Sequence, residues 1–196
     1  MKVIFLDIDG VLNCENGYKG GFCKYKEIIV GSGEIDHYQQ FYPPAKKFLN
    51  KLIEEIDAKI VISSTWRIDG IDFMENVWKS EDMSGEIIGL TPNFRNANIP
   101  YTVPRGCEID FWLKESGLRV VKWSKIKLAE FMAESDIENY IIIDDDSDML
   151  YKQKEHFVHV KPSPRNLEGF NQENYDRAYG ILTKNLIDLY YDKDNL

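Results

Sequence analysis

Two aspartates spaced two apart, Asp7 and Asp9, close a short apolar run over residues 3–6, and Gly10 follows them. On an extended chain residues two apart share a side, so both carboxylates can face one cleft. Crowded there, they need a cation or a shared proton, and Gly10 lets the chain turn sharply just beyond them. A second apolar run ends in Ser63-Ser64-Thr65-Trp66-Arg67, and a third, Tyr140-Ile141-Ile142-Ile143, ends in Asp144-Asp145-Asp146-Ser147-Asp148. Carboxylates with hydroxyls, a few Arg or Lys and no nearby histidine form the donor set of a hard, oxygen-bound cation, for which magnesium is expected. Magnesium completes its shell with phosphate oxygens, so a phosphoryl group is the natural substrate. Asp7 could attack phosphorus as a covalent nucleophile. Asp9 could protonate the leaving oxygen and then deprotonate the attacking water. Ser64 could hold a transferring oxygen, and Arg105 or a lysine could neutralise the equatorial oxygens. Arg67 serves equally as a phosphate ligand or as a structural ion-pair partner.

These residues need elements that bring them together. Continuous apolar runs bounded by turn signals read as buried parallel strands, and the alternation of strand and helix signals is that of a doubly wound α/β domain. In such a sheet the carboxyl ends of all strands lie on one edge, so three polar clusters far apart in sequence would converge. Between them the pattern predicts a helix opened by Pro43-Pro44 and carrying Ala45, Phe48, Leu49, Leu52, Ile53 and Ile56 as core. It predicts further helices around residues 71–78, after Arg105-Gly106, after Ser124, and over a last stretch with Tyr175, Ala178, Tyr179, Leu182, Leu186 and Leu189. Short strands are expected at 86–90 and 157–160. Residues 13–42 read as an irregular, Gly- and aromatic-rich flap or small cap insertion with one strand-like piece at 27–30, and a segment this long is usually functional. The whole chain, residues 1–196, reads as a single domain.

Composition narrows the function. A net charge of −9 opposes tight, sequence-independent binding to nucleic acid, which runs on Lys and Arg contacts to phosphates, so a nucleic-acid substrate would have to be an end held locally. No run approaches the roughly 18 apolar residues of a membrane span, and a basic region preceding a signal-type apolar core is missing. A soluble cytoplasmic protein is expected, with no membrane partner. Cys14, Cys23 and Cys107 show neither CxxC nor zinc spacing and read as reduced structural thiols. His37, His156 and His159 lie outside the three clusters and read as neither catalytic nor ligating. Trp66 and Trp112 read as packing residues, whereas Tyr18, Phe22, Tyr25 and Phe94 are available to stack on a bulky substrate.

Asp7-Ile8-Asp9-Gly10, Ser64 closing strand two with Ser63 as the fallback, and Asp144-Asp145 closing a later strand resemble the motifs of the haloacid dehalogenase superfamily. More narrowly, Phe5 to Asn13, Ile62-Ser63-Ser64-Thr65-Trp66-Arg67 and Arg105-Gly106-x-Glu108-Ile109-x-x-Trp112-Leu113 resemble the small phosphatase-like domains of RNA-repair proteins. The resemblance implies a Rossmann-like sheet with only small cap insertions, and a magnesium-dependent phosphomonoesterase working through an aspartyl-phosphate. Asp7 would be the nucleophile and Asp9 the acid/base, with Asp7, Asp9, Asp144 and Asp145 at the metal, the backbone carbonyl of Asp9 included. Ser63, Arg67 and Lys125 would bind substrate, and Arg105, Lys122, Lys125 and Lys127 all qualify for the third-motif cation. Nucleic-acid 3′-phosphate ends, and so nucleic-acid repair, are the favoured substrate reading. A small-metabolite or nucleotide phosphatase is a second enzyme reading. The alternative of a different class is a receiver-like module phosphorylated on an aspartate without turnover, but such modules lack the Asp-x-Asp-Gly turn.

Overall fold

Strand β1 (Lys2–Leu6) alternates its side chains between two covered faces, which is why every position after Lys2 can be apolar. In the computed structural model, which describes residues 1–30, 33–94, 103–115, 137–161 and 167–184, β1 is the centre of a five-stranded sheet. Its neighbours are β4 (Ala58–Ile62) and β6 (Asn139–Asp144), both parallel to it, with β5 (Ile87–Leu90) and β7 (Phe157–His159) outside them. Chain order runs from β1 outward to one edge through β4 and β5, then returns to the other side through β6 and β7. The order therefore reverses at β1, and its carboxyl end is the topological switch point.

Ile4 and Leu6 join Ile60, Ile62, Ile141 and Ile143 in the larger core, under α2 (Pro43–Ile56), α3 (Ile71–Ser80) and α5 (Gln172–Leu182). Val3 and Phe5 face the other way with Val61, Tyr140 and Ile142, against Ile109 and Leu113 of α4 (Arg105–Glu115). The Phe5 ring meets Trp112 and Tyr140 edge-on at 5.3 and 5.9 Å between centroids, which locks α4 over β1. Helix α2 begins on two prolines, where missing N–H groups cost nothing, and stops at Asp57 in a left-handed conformation.

The stretch over residues 13–42 is more regular than its sequence suggests. It holds a short helix, α1 (Glu15–Lys19), and an antiparallel hairpin of β2 (Tyr25–Val30) and β3 (Glu34–Gln39). Ile28 and Tyr38 of the hairpin are buried in the core and Val30 packs against it half-buried; Tyr38 donates its hydroxyl proton to buried Glu81, which also takes Lys46 at 3.1 Å. The helix expected after Ser124 and the tail of the last helix at Leu186 and Leu189 lie outside the described residues. No helix among the described residues is long and apolar enough to cross a membrane.

Candidate active site

Leu6, the last residue of β1, stands level with Ile62 and Ile143 of its two neighbours. The Ser63 N–H donates to the Leu6 carbonyl at 2.8 Å and the Asp7 N–H to the Ile143 carbonyl at 3.0 Å. One step beyond, Asp7 emerges between Ser63-Ser64 and Asp144-Asp145, so the three polar clusters of the sequence converge at the switch point. The chain then folds back at once, with Leu12 and Asn13 both donating to the Ile8 carbonyl. Gly10 takes φ +76°, and a Cβ there would lie 2.2 Å from an Asp145 carboxylate oxygen. The glycine is what lets the first acidic turn sit against the third cluster.

Asp7, Asp144 and Asp145 each place a carboxylate oxygen within 4.8 Å of the other two. Asp7 is 6% exposed and Asp144 1%. Burial pushes the Asp7 carboxyl up to about 6, against the pull of the Arg105 guanidinium and a hydrogen bond from Ser64. Burial, and next the Asp7 charge, push Asp144 up to about 8. One Asp144 oxygen accepts from the Asp146 N–H at 2.9 Å, but the other is buried with no hydrogen-bond partner among the described residues. A buried carboxylate oxygen left unpaired among two more carboxylates is costly unless a cation takes it. All donors here are hard oxygens, so these residues fit a divalent cation. The Asp9 side chain is not in that cluster: it is exposed, and its Oδ2 accepts from the Trp66 indole N–H at 3.0 Å.

Arg105 comes in from the opposite face of the sheet. Its backbone N–H donates to an Asp148 carboxylate oxygen at 2.7 Å and the Gly106 N–H to the Asp148 carbonyl at 3.3 Å, so Asp148 caps the start of α4 from 43 residues away. A Cβ on Gly106 would meet the Leu150 backbone nitrogen at 2.5 Å, and that close seating brings Arg105 Nη1 to 3.4 Å from Asp7 Oδ1. Ser64 is fully buried and starts the 3-10 turn Thr65–Asp69; its hydroxyl accepts from the Trp66 N–H at 3.4 Å. Ser63 is 1% exposed, and its hydroxyl has no partner among the described residues.

Arg67 is buried and occupied elsewhere. It donates to Glu108 at 2.6 Å, to the Ser64 carbonyl at 2.5 Å and to the Pro92 carbonyl at 3.4 Å. Glu108 uses its second oxygen to take the Phe94 N–H at 3.1 Å. Arg67 thus ties the Ser64 turn to the first turn of α4. Lys122, Lys125 and Lys127 lie outside the described residues, so of the four candidate third-motif cations only Arg105 is seen, beside Asp7.

Sequence reasoning missed three placements here. Trp66 does pack, against Phe41 and Phe73, but it also holds Asp9. Asp148 caps α4. His159, read as standing apart from the clusters, sits at their rim, with Nε2 3.1 Å from the Asp145 carbonyl. For Trp66 the available signal was its spacing: Ser64 and Trp66 are two apart, as are the Asp7 and Asp9 they serve.

A family model described as the HAD domain in Swiss Army Knife RNA repair proteins matches residues 3–174. No curated protein and no solved structure matches the chain.

Proposed function

Because the chain belongs to the family of HAD domains found in Swiss Army Knife RNA repair proteins, we propose that it is a magnesium-dependent phosphomonoesterase. It acts through an aspartyl-phosphate on Asp7, with nucleic-acid 3′-phosphate ends as the substrate class. The observation that carries this reading is the different surroundings of two aspartates only two residues apart. Asp7 is buried against Arg105, Ser64 and the acidic cluster, whereas Asp9 stands outside that cluster, exposed to where a leaving group would sit. Two carboxylates in unlike environments are suited to unlike roles.

In the first half-reaction an Asp7 oxygen forms a bond to phosphorus as the bond to the leaving oxygen breaks, and Asp9 gives that oxygen a proton. In the second, Asp9 takes a proton from water, the hydroxide forms the new bond to phosphorus, and the bond to Asp7 breaks to release phosphate. Arg105 and the Ser64 hydroxyl, both beside Asp7, hold the non-bridging oxygens of the transferring group. A cation bound by Asp7, Asp144 and Asp145 would offset the local negative charge and that of the phosphoryl oxygens.

Support for a bulky substrate comes from the flap. Tyr18, close enough to feel the Asp9 charge, is 43% exposed, and Phe22 is 53% exposed, giving rings on which an unpaired base could stack. The test is phosphate release from an aryl phosphate and from 3′- and 5′-phosphorylated oligonucleotides, with magnesium or with EDTA, for the wild type and Asp7→Asn. Magnesium-dependent release, fastest from 3′ ends and lost in Asp7→Asn, is expected. Release from small phosphates alone would replace the substrate class with metabolites, and no release from any of them would overturn the reading.

A further inference from the structure

The segments 7–9 and 64–66 face each other as two matched pairs. The Ser64 hydroxyl stands beside Asp7, and two residues on, the Trp66 indole N–H donates to Asp9 Oδ2 at 3.0 Å. Trp66 is itself held. Its ring packs against Phe41 at 6.0 Å and Phe73 at 6.4 Å between centroids, and its backbone N–H is tied to Ser64. An indole N–H has one direction and no acceptor character. A donor fixed this way can therefore set the orientation of a carboxylate that would otherwise rotate freely in solvent, since Asp9 is exposed.

Resting on the phosphatase reading above, we propose that Trp66 is a positioning residue for proton transfer: its indole N–H holds one Asp9 oxygen, so that the other is presented to the leaving oxygen and later to the attacking water. Trp66 does not touch the phosphoryl group in this scheme, and its contribution passes through Asp9 alone. A ring that served only as packing would be indifferent to how much protonation the leaving group needs.

The experiment compares wild type and Trp66→Phe on two magnesium-dependent substrates: an aryl phosphate, whose phenolate departs with little help, and an alkyl phosphate such as a nucleoside 3′-phosphate, whose alkoxide must be protonated. General acid catalysis supplies about 10²–10⁴-fold, so loss of its alignment is expected to lower kcat/KM about 10-fold or more on the alkyl ester, with little change on the aryl ester. This parameter reports the half-reaction that expels the leaving group and not the water step common to both substrates. Both rates come from one preparation, so their ratio does not depend on the fraction that is folded. Trp66→Leu, which loses more packing, should give the same fall in the ratio. In an Asp9→Asn background the replacement Trp66→Phe should have no further effect on kcat/KM. Equal losses of kcat/KM on both substrates, no loss on either, or an undiminished effect in Asp9→Asn would overturn the proposal. A wild type without turnover on both substrates would instead overturn the phosphatase reading beneath it.

Discussion

Helix α4 contributes one member to each of two buried charge clusters, and the two are built to opposite ends. Glu108 meets Arg67 at 2.6 Å, one negative charge against one positive; Arg67 donates further to the Ser64 and Pro92 carbonyls, and the second Glu108 oxygen takes the Phe94 N–H. Three residues earlier on the same helix, Arg105 meets Asp7 at 3.4 Å, but Asp7 has Asp144 and Asp145 beside it, and one Asp144 oxygen has no hydrogen-bond partner among the described residues. Burial does not separate them, since Arg67 and Asp7 are both 6% exposed. Balance does. A charge-balanced, hydrogen-bonded pair has little affinity left to offer and suits a scaffold, whereas a cluster with surplus negative charge could take up a cation, as the proposed reaction requires.

The largest expected effect separates the two clusters by what they lose. Asp7→Asn should lower phosphate release by about 10⁴-fold or more, yet leave the thermal midpoint without metal unchanged or higher, because it removes a charge from a crowded site. A circular dichroism melt beside the turnover assay reads both. Arg67→Met should do the reverse, stranding the Glu108 charge in the core at a cost of about 3–5 kcal/mol, measured by denaturant unfolding. Adding Glu108→Leu should return most of that stability. If Arg67→Met instead left stability intact and abolished turnover, the scaffold role of this pair would be wrong.

The comparison also shows where sequence reading stops. Strands β1, β4 and β6 were legible because all their residues but Lys2 and Lys59 are buried, so their runs are mostly apolar, and a polar cluster ending each run then had to lie on one edge of the sheet. The role of Arg67 stayed open between phosphate ligand and ion-pair partner, since the Glu108 that decides it lies 41 residues away in the chain. Strand β3 was missed because it buries Tyr38 alone, and the outward pair Ile29 and Ile35, cross-strand neighbours, breaks the expected alternation of apolar inside and polar outside. The role of Trp66 was hidden by its own chemistry: an apolar ring fit for the core carries an N–H whose acceptor is 57 residues distant.

Strand β6 carries both kinds of group, and pH can set them against each other. Near its start, the Tyr140 carbonyl accepts from buried His156 Nδ1 at 2.8 Å, and the rings stack at 4.0 Å. Burial lowers the His156 pKa to about 4 from 6.5. The unfolded chain then binds the proton more tightly, so this contribution is whole above about pH 6.5 and is lost as pH falls toward 4, by about 2 kcal/mol at pH 5. His156→Phe should remove that acid-side loss in unfolding titrations between pH 7 and 5.

At the other end of β6 the sign reverses. The Asp144 and Asp7 carboxyls are raised, to about 8 and about 6, so the native state binds their protons more tightly than the unfolded chain does. Without metal, their contribution is present below about pH 4 and is lost as pH rises through 6 and 8. Asp144→Asn should therefore raise the thermal midpoint in EDTA at pH 8 by about 3 °C or more. It should also abolish the rise that magnesium gives the wild type by binding the native state. Neutralising the crowded cluster by mutation and filling it with a cation relieve the same repulsion, so the two gains cannot add. Additive gains would mean that the cation binds somewhere other than between Asp7, Asp144 and Asp145, and the surplus charge at this end of the sheet would then need another explanation.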